Sequence, residues 1–291
     1  MSKVIAIGQA CLDILHEEGK GVTSFVGGRI ANMAVMLSRK GVEVEYVSEC
    51  AVDGVGDMIV KHFADNGVGT KSIDRYTEGL SQVSMIFRDA QGNERFSQYV
   101  KYPDTRFDVL WPTIEENDIV VFGSFFSIEE NVRRPLTELL AYAIERKAII
   151  VYLPGFQPEL CSRITRVMPY IVENLEVADI VIARESDMKK IYNQSDASQC
   201  FNNNIRFYTD NFLYEDSRGN ATLFARNYSQ TFAARREKPK AKLLWDAAMV
   251  AGFISGMISG GITRQGLSQI SAEAWSRVMK ETTEFYDNLQ Y

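Results

Sequence analysis

Two short motifs near the amino terminus could bind a ligand rich in hydroxyl groups. In the first, a Gly27-Gly28 turn opens a predicted helix, and Asn32 lies one turn into that helix. In the second, about twenty residues later, Asp53 and Gly56 belong to a loop before the next predicted helix. Glycine lets the backbone approach a ligand closely, and Asn and Asp side chains can hydrogen-bond to sugar hydroxyls. The two motifs could line a pocket for a polyhydroxyl ligand. The alternative is that Gly27-Gly28 is a simple turn, Asn32 a helix-cap partner, and Asp53 and Asp57 solvated loop residues.

A carboxylate near the carboxyl terminus could act as a general base. Asp246 directly precedes an apolar helix predicted over Ala247–Ile258, whose small residues allow close packing against neighbouring helices. A carboxylate at this position can accept a proton from a hydroxyl, and the N–H groups of a helix start can bind an anion. The alternative is that Asp246 is only the N-cap of the helix that it opens.

Short apolar runs alternate with amphipathic helical stretches along most of the chain. Such runs predict strands buried on both faces, and the alternation predicts βαβ units. The predicted strands are Val4–Ile7, Val44–Val47, Ile119–Phe122, Ala148–Tyr152, Ile180–Ile182 and Ile205–Tyr208. The predicted helices are Ala31–Lys40, Gly56–Asn66, Asn131–Arg146, Ser162–Asn174, Ala247–Ile258 and one from Ser268 or Ser271 through Met279. The predicted fold class is α/β, with a doubly wound, mostly parallel sheet.

The segment 82–100 interrupts this alternation. Gln82–Phe87 and Glu94–Val100 alternate apolar and polar residues around a short polar turn, which predicts an antiparallel hairpin. We interpret it as a small β lid or a dimer contact, joined by strands from about residues 13–25; a simple edge hairpin is the other interpretation. Its large apolar side chains are Met85, Phe87, Phe96 and Tyr99.

The composition excludes several classes of protein. The chain is 46% hydrophobic and 24% charged, which is typical of a globular protein with a large core. Its net charge of −6, without a Lys/Arg-rich run, argues against nucleic acid or an anionic membrane as partner. Four widely spaced cysteines and two histidines predict neither a zinc site nor a disulfide framework. No apolar run reaches the roughly twenty residues of a membrane span, and we expect a cytoplasmic protein.

These motifs resemble those of the ribokinase/PfkB carbohydrate kinases over nearly the whole chain. The resemblance implies a single ribokinase-like domain over residues 1–291, in which a sugar lies between the sheet and the lid, beside ATP and Mg²⁺. It also implies that Arg29 adds a cation to the sugar pocket, where the family usually has a small residue; the alternative is that Arg29 faces solvent. The matching residues, expected to contact hydroxyls or to shape the pocket, are Asp13, Gly28, Asn32 and Asp53.

The segments that resemble the family's nucleotide site depart from its pattern. The family's Asp-Thr-x-Gly-Ala-Gly-Asp turn is replaced by residues 241–247. An ungapped match puts Ala247 on the catalytic Asp, a one-residue slip puts Asp246 there, and both lose the two glycines. The charged Asp-Pro-Asn-x-Arg run is replaced by Leu153–Gln157, and the Thr-x-Gly-x-x-Gly loop by Thr209–Tyr214. The residues that the resemblance leaves for phosphate or Mg²⁺ are Arg184, Asp187, Thr209 and Lys242.

Three functions remain open at this point. The first is an ATP-dependent kinase for a hydroxyl of a small sugar or sugar-like alcohol, with Asp246 as base and Arg184 or Lys242 holding phosphate. The second is a catalytically impaired pseudokinase that keeps the sugar pocket as a sensor or partner protein. The third is a protein of this fold that uses another phosphate donor. In each case the hairpin makes a homodimer through the lid the expected assembly.

Overall fold

The computed structural model describes residues 2–226, 228–233 and 245–287, and of Trp245 and Tyr286 it describes the backbone only. The strands in these ranges are β1 Val4–Ile7, β2 Cys11–Glu17, β3 Gly21–Gly27, β4 Val44–Ala51, β5 Ile73–Tyr76, β6 Leu80–Arg88, β7 Glu94–Lys101, β8 Ile119–Gly123, β9 Ile149–Leu153, β10 Ile180–Arg184, β11 Phe212–Glu215, β12 Ala221–Ala225 and β13 Tyr228–Phe232. The α-helices are α1 Arg29–Arg39, α2 Gly54–Asp65, α3 Glu130–Glu145, α4 Ile164–Val177, α5 Glu185–Tyr192, α6 Ala197–Cys200, α7 Trp245–Ser259 and α8 Ala272–Asp287.

Nine strands form one sheet in the order β13-β12-β11-β10-β9-β8-β1-β4-β5. All neighbours from β5 to β11 are parallel, and β12 and β13 are added antiparallel at one edge. Alternate residues of β1 enter different cores, since Val4 and Ala6 pack on one face of the sheet while Ile5 and Ile7 pack on the other. The apolar runs are therefore buried on both faces, and the predicted fold class is confirmed.

One predicted strand is wrong. Ile205–Tyr208 is not extended, because Asp196 caps a short helix that continues as a single π-helical turn over Phe201–Ile205. Ile205 is buried from that turn, and the strand next to β10 is β11 instead. A short apolar run does not distinguish a buried helical turn from a strand, which is why the pattern misled.

The helices agree with their predicted positions to within a few residues, apart from the last. α1 begins at Arg29 and α7 no later than Trp245, so both start about one half-turn earlier than predicted. The last helix continues past Met279 to Asp287. Ser271 caps it, because its hydroxyl accepts a hydrogen bond from the N–H of Ala274 at 3.2 Å. Within the described residues, every helix is too short or too polar to span a bilayer.

A second sheet of four strands, in the order β3-β2-β6-β7, contains the predicted hairpin. β2 and β3 extend the hairpin, because β2 pairs parallel with β6 and antiparallel with β3. We call this sheet the lid. The amide of Gln98 on β7 donates to Gln157, in the loop after β9, at 3.4 Å. The lid therefore reaches over the carboxyl ends of the large sheet.

The chain order creates a crevice at those carboxyl ends. From β1 the chain goes to β4 on one side, and it later continues from β8 on the other side. The connections that leave β1 and β8 therefore diverge, and such a switch point is where open α/β sheets bind ligands. The segments at this position are Gly8-Gln9 after β1 and Ser124-Phe125 after β8.

Asp53 joins α2 to the lid. Its Oδ1 accepts hydrogen bonds from the N–H of Gly56 and from the hydroxyl of Ser81, both at 2.7 Å. Its Oδ2 accepts from the N–H of Ser81 at 2.9 Å. Burial opposes ionisation, but these donors outweigh it and lower the pKa of Asp53. Capping and anchoring explain this residue, and its contact with a sugar stays a prediction.

We expect Asp53→Ala to lower the free energy of unfolding by about 1 to 2 kcal/mol, since it removes an N-cap and the tether to β6. Because the pKa is lower in the folded than in the unfolded chain, the stabilisation is complete above the unfolded value of about 3.9. It disappears as the pH falls through the folded value. Urea denaturation at several pH values measures this. The control is Asp57→Ala, whose 72% exposed carboxylate pairs with Arg75 and should cost at most about 0.5 kcal/mol; equal losses would contradict the capping role.

Candidate functional site

The Gly27-Gly28 turn is required by close contacts on both sides. A Cβ on Gly27 would lie 1.8 Å from Oδ2 of Asp13, so glycine admits that carboxylate. Gly28 has a φ of +120°, and its Cβ would lie 2.6 Å from the carbonyl oxygen of Gln9. These contacts leave no room for a side chain at either position, and at Gly28 the backbone conformation also disfavours any residue but glycine. The turn therefore brings the start of α1 against the end of β1 and the lid strand β2.

Asp13 and Asn32 flank this turn, and both are buried. Oδ1 of Asp13 accepts a hydrogen bond from the thiol of Cys11 at 3.2 Å. Burial raises the pKa of Asp13, and hydrogen bonds from Cys11 and Ser84 oppose the rise only in part. A buried carboxylate of this kind is a strong acceptor for a hydroxyl donor.

A buried ion cluster that the sequence did not indicate lies at the same edge. The guanidinium of Arg106, in the segment after β7, donates to Glu49 of β4 and to Glu129 before α3. Its plane lies over the Tyr102 ring, with Cζ 3.2 Å from the ring centroid. The Tyr102 hydroxyl in turn contacts the amide of Gln9. The cluster is thereby linked to the end of β1 and the Gly27-Gly28 turn.

These residues come from four separate segments, so their spacing carried no signal. One hint was available, because Glu49 is a charged residue in the strand run that begins at Val44 and is mostly apolar, although Glu45 and Ser48 also interrupt it. A carboxylate at a buried strand position needs a partner. Burial raises the pKa of Glu49 and of Glu129, and Arg106 opposes this rise in both.

A second ion cluster gathers three of the predicted nucleotide-side and base residues. Arg184, the last residue of β10, donates from Nε and Nη2 to both oxygens of Asp187, at 2.8 and 2.6 Å. Its Nη1 contacts Oδ2 of Asp246 in the first turn of α7. Although burial disfavours the charged form, Asp187 and Asp246 raise the pKa of Arg184. Burial likewise opposes ionisation of Asp187, but Arg184 and Arg29 lower its pKa.

Arg29 belongs to this second cluster and does not face solvent. Its side chain is only 7% exposed, and its Nη1 lies 3.4 Å from Oδ2 of Asp187. Its Nε donates to the carbonyl oxygen of Asp246 at 3.2 Å. Burial, and then the neighbouring Arg184, lower the pKa of Arg29. Because Arg29 is the first residue of α1, it connects the starts of α1, α5 and α7.

Asp246 and Ala247, the two candidates for the catalytic position, differ in their exposure to solvent. Asp246 keeps 16% of its side chain exposed and points to the end of β10, whereas Ala247 is fully buried. Of these two side chains, that of Asp246 carries an ionisable group, and its place at the catalytic position stays a prediction. Lys242 and the other residues of 241–244 lie outside the described residues.

Thr209 lies at the wrong edge of the sheet for its predicted role. Its hydroxyl donates to the carbonyl oxygen of Asp179 at 2.7 Å. Asp179 precedes β10 and Arg184 ends it, so the two sites are roughly 16 Å apart along the strand. The prediction of Thr209 as a nucleotide contact is wrong, because the loop that leaves the carboxyl end of β11 is 216–220.

Comparisons with known proteins agree with this geometry. A model of the family "pfkB family carbohydrate kinase" matches residues 1–211 of the 291. A 5-dehydro-2-deoxygluconokinase of Listeria monocytogenes is 22% identical over 297 residues, which cover 96% of this chain and 91% of that protein.

Two solved structures share the fold. The aminoimidazole riboside kinase of Salmonella enterica, complexed with aminoimidazole riboside and an ATP analogue, superposes with a TM-score of 0.82. It is 16% identical, over 98% of this chain and 92% of that one. The apo fructokinase of Vibrio cholerae gives a TM-score of 0.81 at 15% identity, over 99% and 97% of the two chains.

We expect Asp187→Asn to lower the free energy of unfolding by about 3 kcal/mol, because it leaves Arg29 and Arg184 buried beside each other without their shared counter-charge. Chemical denaturation measures the loss. The control is Glu138→Gln, which removes the carboxylate from an exposed pair with Arg134 and should cost less than about 0.5 kcal/mol. A loss as small as that of the control would show that the two guanidinium groups do not depend on Asp187.

Proposed function

The chain belongs to the pfkB family of carbohydrate kinases, and on that premise we propose that it transfers the terminal phosphoryl group of ATP to a hydroxyl of a small sugar. Asp246 next to Arg184, at the carboxyl edge of the sheet, is the observation that carries the proposal. A carboxylate and a guanidinium are the two groups that phosphoryl transfer needs, one for the proton and one for the phosphate charge.

In this proposal Asp246 accepts the proton of the attacking sugar hydroxyl. Arg184 and Arg29 bind phosphate oxygens, since guanidinium groups match phosphate in charge and geometry. A phosphate that approaches Arg184 competes with Asp246 for the guanidinium, so nucleotide binding loosens the ion pair and frees the carboxylate to act as base. The N–H groups at the start of α7 add positive potential at the same point.

The nucleotide fits the charges present, but a metal ion held by Asp187 does not. Both carboxylate oxygens of Asp187 already accept hydrogen bonds from Arg184, and Oδ2 also contacts Arg29. In the described part of the chain, no group of three or more His, Cys, Asp or Glu side chains could hold a metal ion. Mg²⁺ bound to nucleotide phosphates keeps much of its water shell, and in that form it needs no ligand from Asp187.

On the sugar side, we propose that Asp13 and Asn32 contact hydroxyls of the substrate, with Gly28 shaping the pocket. The support is their burial on either side of the Gly27-Gly28 turn, Asp13 on the lid strand β2 and Asn32 on α1. Arg29 is not part of this set, since its guanidinium is directed to Asp187 and the start of α7.

We further propose that the protein forms a homodimer through the lid. Cross-strand register puts Val22, Phe87 and Tyr99 on one face of the lid, together with the half-buried Ile14 and Met85. The first three are 62%, 38% and 61% exposed. An exposed apolar face of this kind suits a two-fold interface between identical copies. Phe96 pairs with Ile86 on the opposite face, so the predicted apolar set is divided between the two faces.

We expect Asp246→Asn to lower kcat by about 10² to 10⁴-fold, because the amide cannot take the proton. Coupled measurement of ADP release on a panel of small sugars tests this. The control Asp210→Asn changes an exposed Asp at the opposite edge of the sheet and should leave turnover unchanged. Full activity of Asp246→Asn would remove Asp246 from the mechanism, and absence of sugar-dependent ADP release from the unmodified protein would contradict the proposed function.

We expect Phe87→Glu to convert a dimer into a monomer, since it introduces a charge into the apolar face of the lid. Sedimentation equilibrium measures the mass. Phe96→Glu makes the same change on the opposite face and should leave the dimer intact. A monomeric unmodified protein, or equal effects of the two variants, would contradict dimerisation through this face.

A further inference from the structure

The partners of the Arg106 guanidinium bear on which sugars the site accepts, provided that the protein has the proposed kinase function. Nε and Nη2 of Arg106 both donate to Oε1 of Glu49, the former at 2.9 Å, and Nη1 donates to Oε2 of Glu129. One face of the guanidinium is covered by the Tyr102 ring. The cation is therefore committed to two carboxylates and an aromatic ring.

The cluster is fixed in place. Oε2 of Glu49 accepts a hydrogen bond from the N–H of Phe107 at 3.0 Å, so both of its oxygens are used. Phe107 has a φ of +61° and is almost completely buried. A bulky residue holds that conformation only where its surroundings enforce it. Glu49 and the strained Phe107 therefore hold each other in place. The guanidinium of Arg106, bonded to Glu49, is not free to rotate towards a new anion.

The cluster also lies on the sugar side of the site. Tyr102 contacts Gln9, which follows β1, and its hydroxyl donates to Gln82 of the lid at 3.2 Å. Arg106 and Glu129 line a cleft of about 270 Å³ beside Phe125, which follows β8. β1 and β8 are the two strands of the switch point. Of the two carboxylates that hold Arg106, that of Glu129 is the more accessible, because the Glu129 side chain is 16% exposed and that of Glu49 only 2%.

The charges of this region disfavour an anionic substrate. The buried carboxyl groups of Asp13 and Glu49 and the mostly buried one of Glu129 accompany the guanidinium of Arg106. Three other arginines at this edge also contact carboxylates: Arg29 and Arg184 those of the second cluster, and Arg75 that of Asp57. Arg166 also lines the cleft but is exposed to solvent, where its attraction is screened.

We propose that the substrate is an uncharged sugar, and that Glu129 excludes sugar acids by neutralising Arg106. A sugar carboxylate would have to displace Glu129 from Arg106 or lie beside it, and either arrangement leaves like charges close together. Hydroxyl groups, by contrast, can donate charge-assisted hydrogen bonds to Asp13 and Glu129. The preference differs from the sugar acid implied by the name of the Listeria gluconokinase.

The test compares sugars that differ only in this charge. D-Fructose and 2-dehydro-D-gluconate share all carbons but the first, which is a hydroxymethyl group in one and a carboxylate in the other. D-Glucose and D-glucuronate form a second pair, which differs in the same way at the sixth carbon. Sugar-dependent ADP release gives kcat/KM for each, and titration calorimetry at low salt gives the dissociation constant. We expect the unmodified protein to prefer the uncharged member of a pair by at least about 100-fold.

Glu129→Gln keeps the acceptor for Arg106 but removes the negative charge. We expect it to reduce the preference for the uncharged member by about tenfold or more, mainly through tighter binding of the acid. Glu138→Gln is the matched control, since it makes the same change further along α3, at an exposed carboxylate that pairs with Arg134 and does not line the cleft, and it should leave the preference unchanged. Should Glu129→Gln fail to fold, Glu49→Gln removes the other carboxylate and is expected to change the preference in the same direction.

The outcomes separate this proposal from the kinase function. Preference for the acid by the unmodified protein, with activity abolished in Asp246→Asn, would overturn the uncharged substrate and keep the kinase. A shift in Glu129→Gln no larger than in Glu138→Gln would overturn the role of Glu129. Absence of binding and turnover with both members of both pairs, in the unmodified protein and in Glu129→Gln, would overturn the kinase function and this inference together.

Discussion

The ion pair of Arg184 with Asp187 spans a single helical turn and holds the carboxyl edge of the sheet together. Arg184 ends β10 and Asp187 lies in the first turn of α5, so the pair fixes the angle at which the helix leaves the strand. Arg29 of α1 and Asp246 of α7 are added to this pair. Arg29 and Asp187 are buried at a cost that only their neighbours offset, and the four groups must therefore remain assembled. The starts of three helices are positioned by that requirement.

Under the proposed function, the cluster is a phosphate site that lacks the glycine turn typical of the family. Glycines allow main-chain N–H groups to surround an anion. Here two guanidinium groups supply the positive charge from side chains, with two carboxylates that balance them until an anion arrives. A site of this kind is ordered before the ligand binds, because its charges already have partners. Nucleotide binding then replaces ion pairs between guanidinium and carboxylate groups by ion pairs between guanidinium and phosphate groups. No guanidinium has to be buried without a counter-charge at any stage.

The sequence predicted the fold and the sugar-side turn because both depend on local pattern. A few consecutive residues are enough to predict the structure of the apolar runs in β1 and β8 and of the Gly27-Gly28 turn. Arg106, Glu49 and Glu129 come from distant segments, and their spacing in the sequence does not predict that their side chains contact each other. Arg29 shows the same limit on prediction. Its position directly after the turn could be read from the sequence, but the direction of its side chain could not. Thr209 was misplaced because the strand before it was misassigned, which moved the loop to the wrong edge.

The attachment of the lid determines how it can move. All four lid strands are held at the end nearest the body: β2 follows β1 closely, β3 runs into α1, Ser81 of β6 is bonded to Asp53, and β7 continues to Tyr102 and Arg106. At the far end, the turns bond to each other, as in the bond from the N–H of Ala90 to Glu18. The lid is thus a plate clamped mainly along one edge, with the hydrogen bond from Gln98 to Gln157 as a further tie to the body. Such a plate bends and does not hinge, so its displacement is smallest near Asp13 and increases towards the far turns.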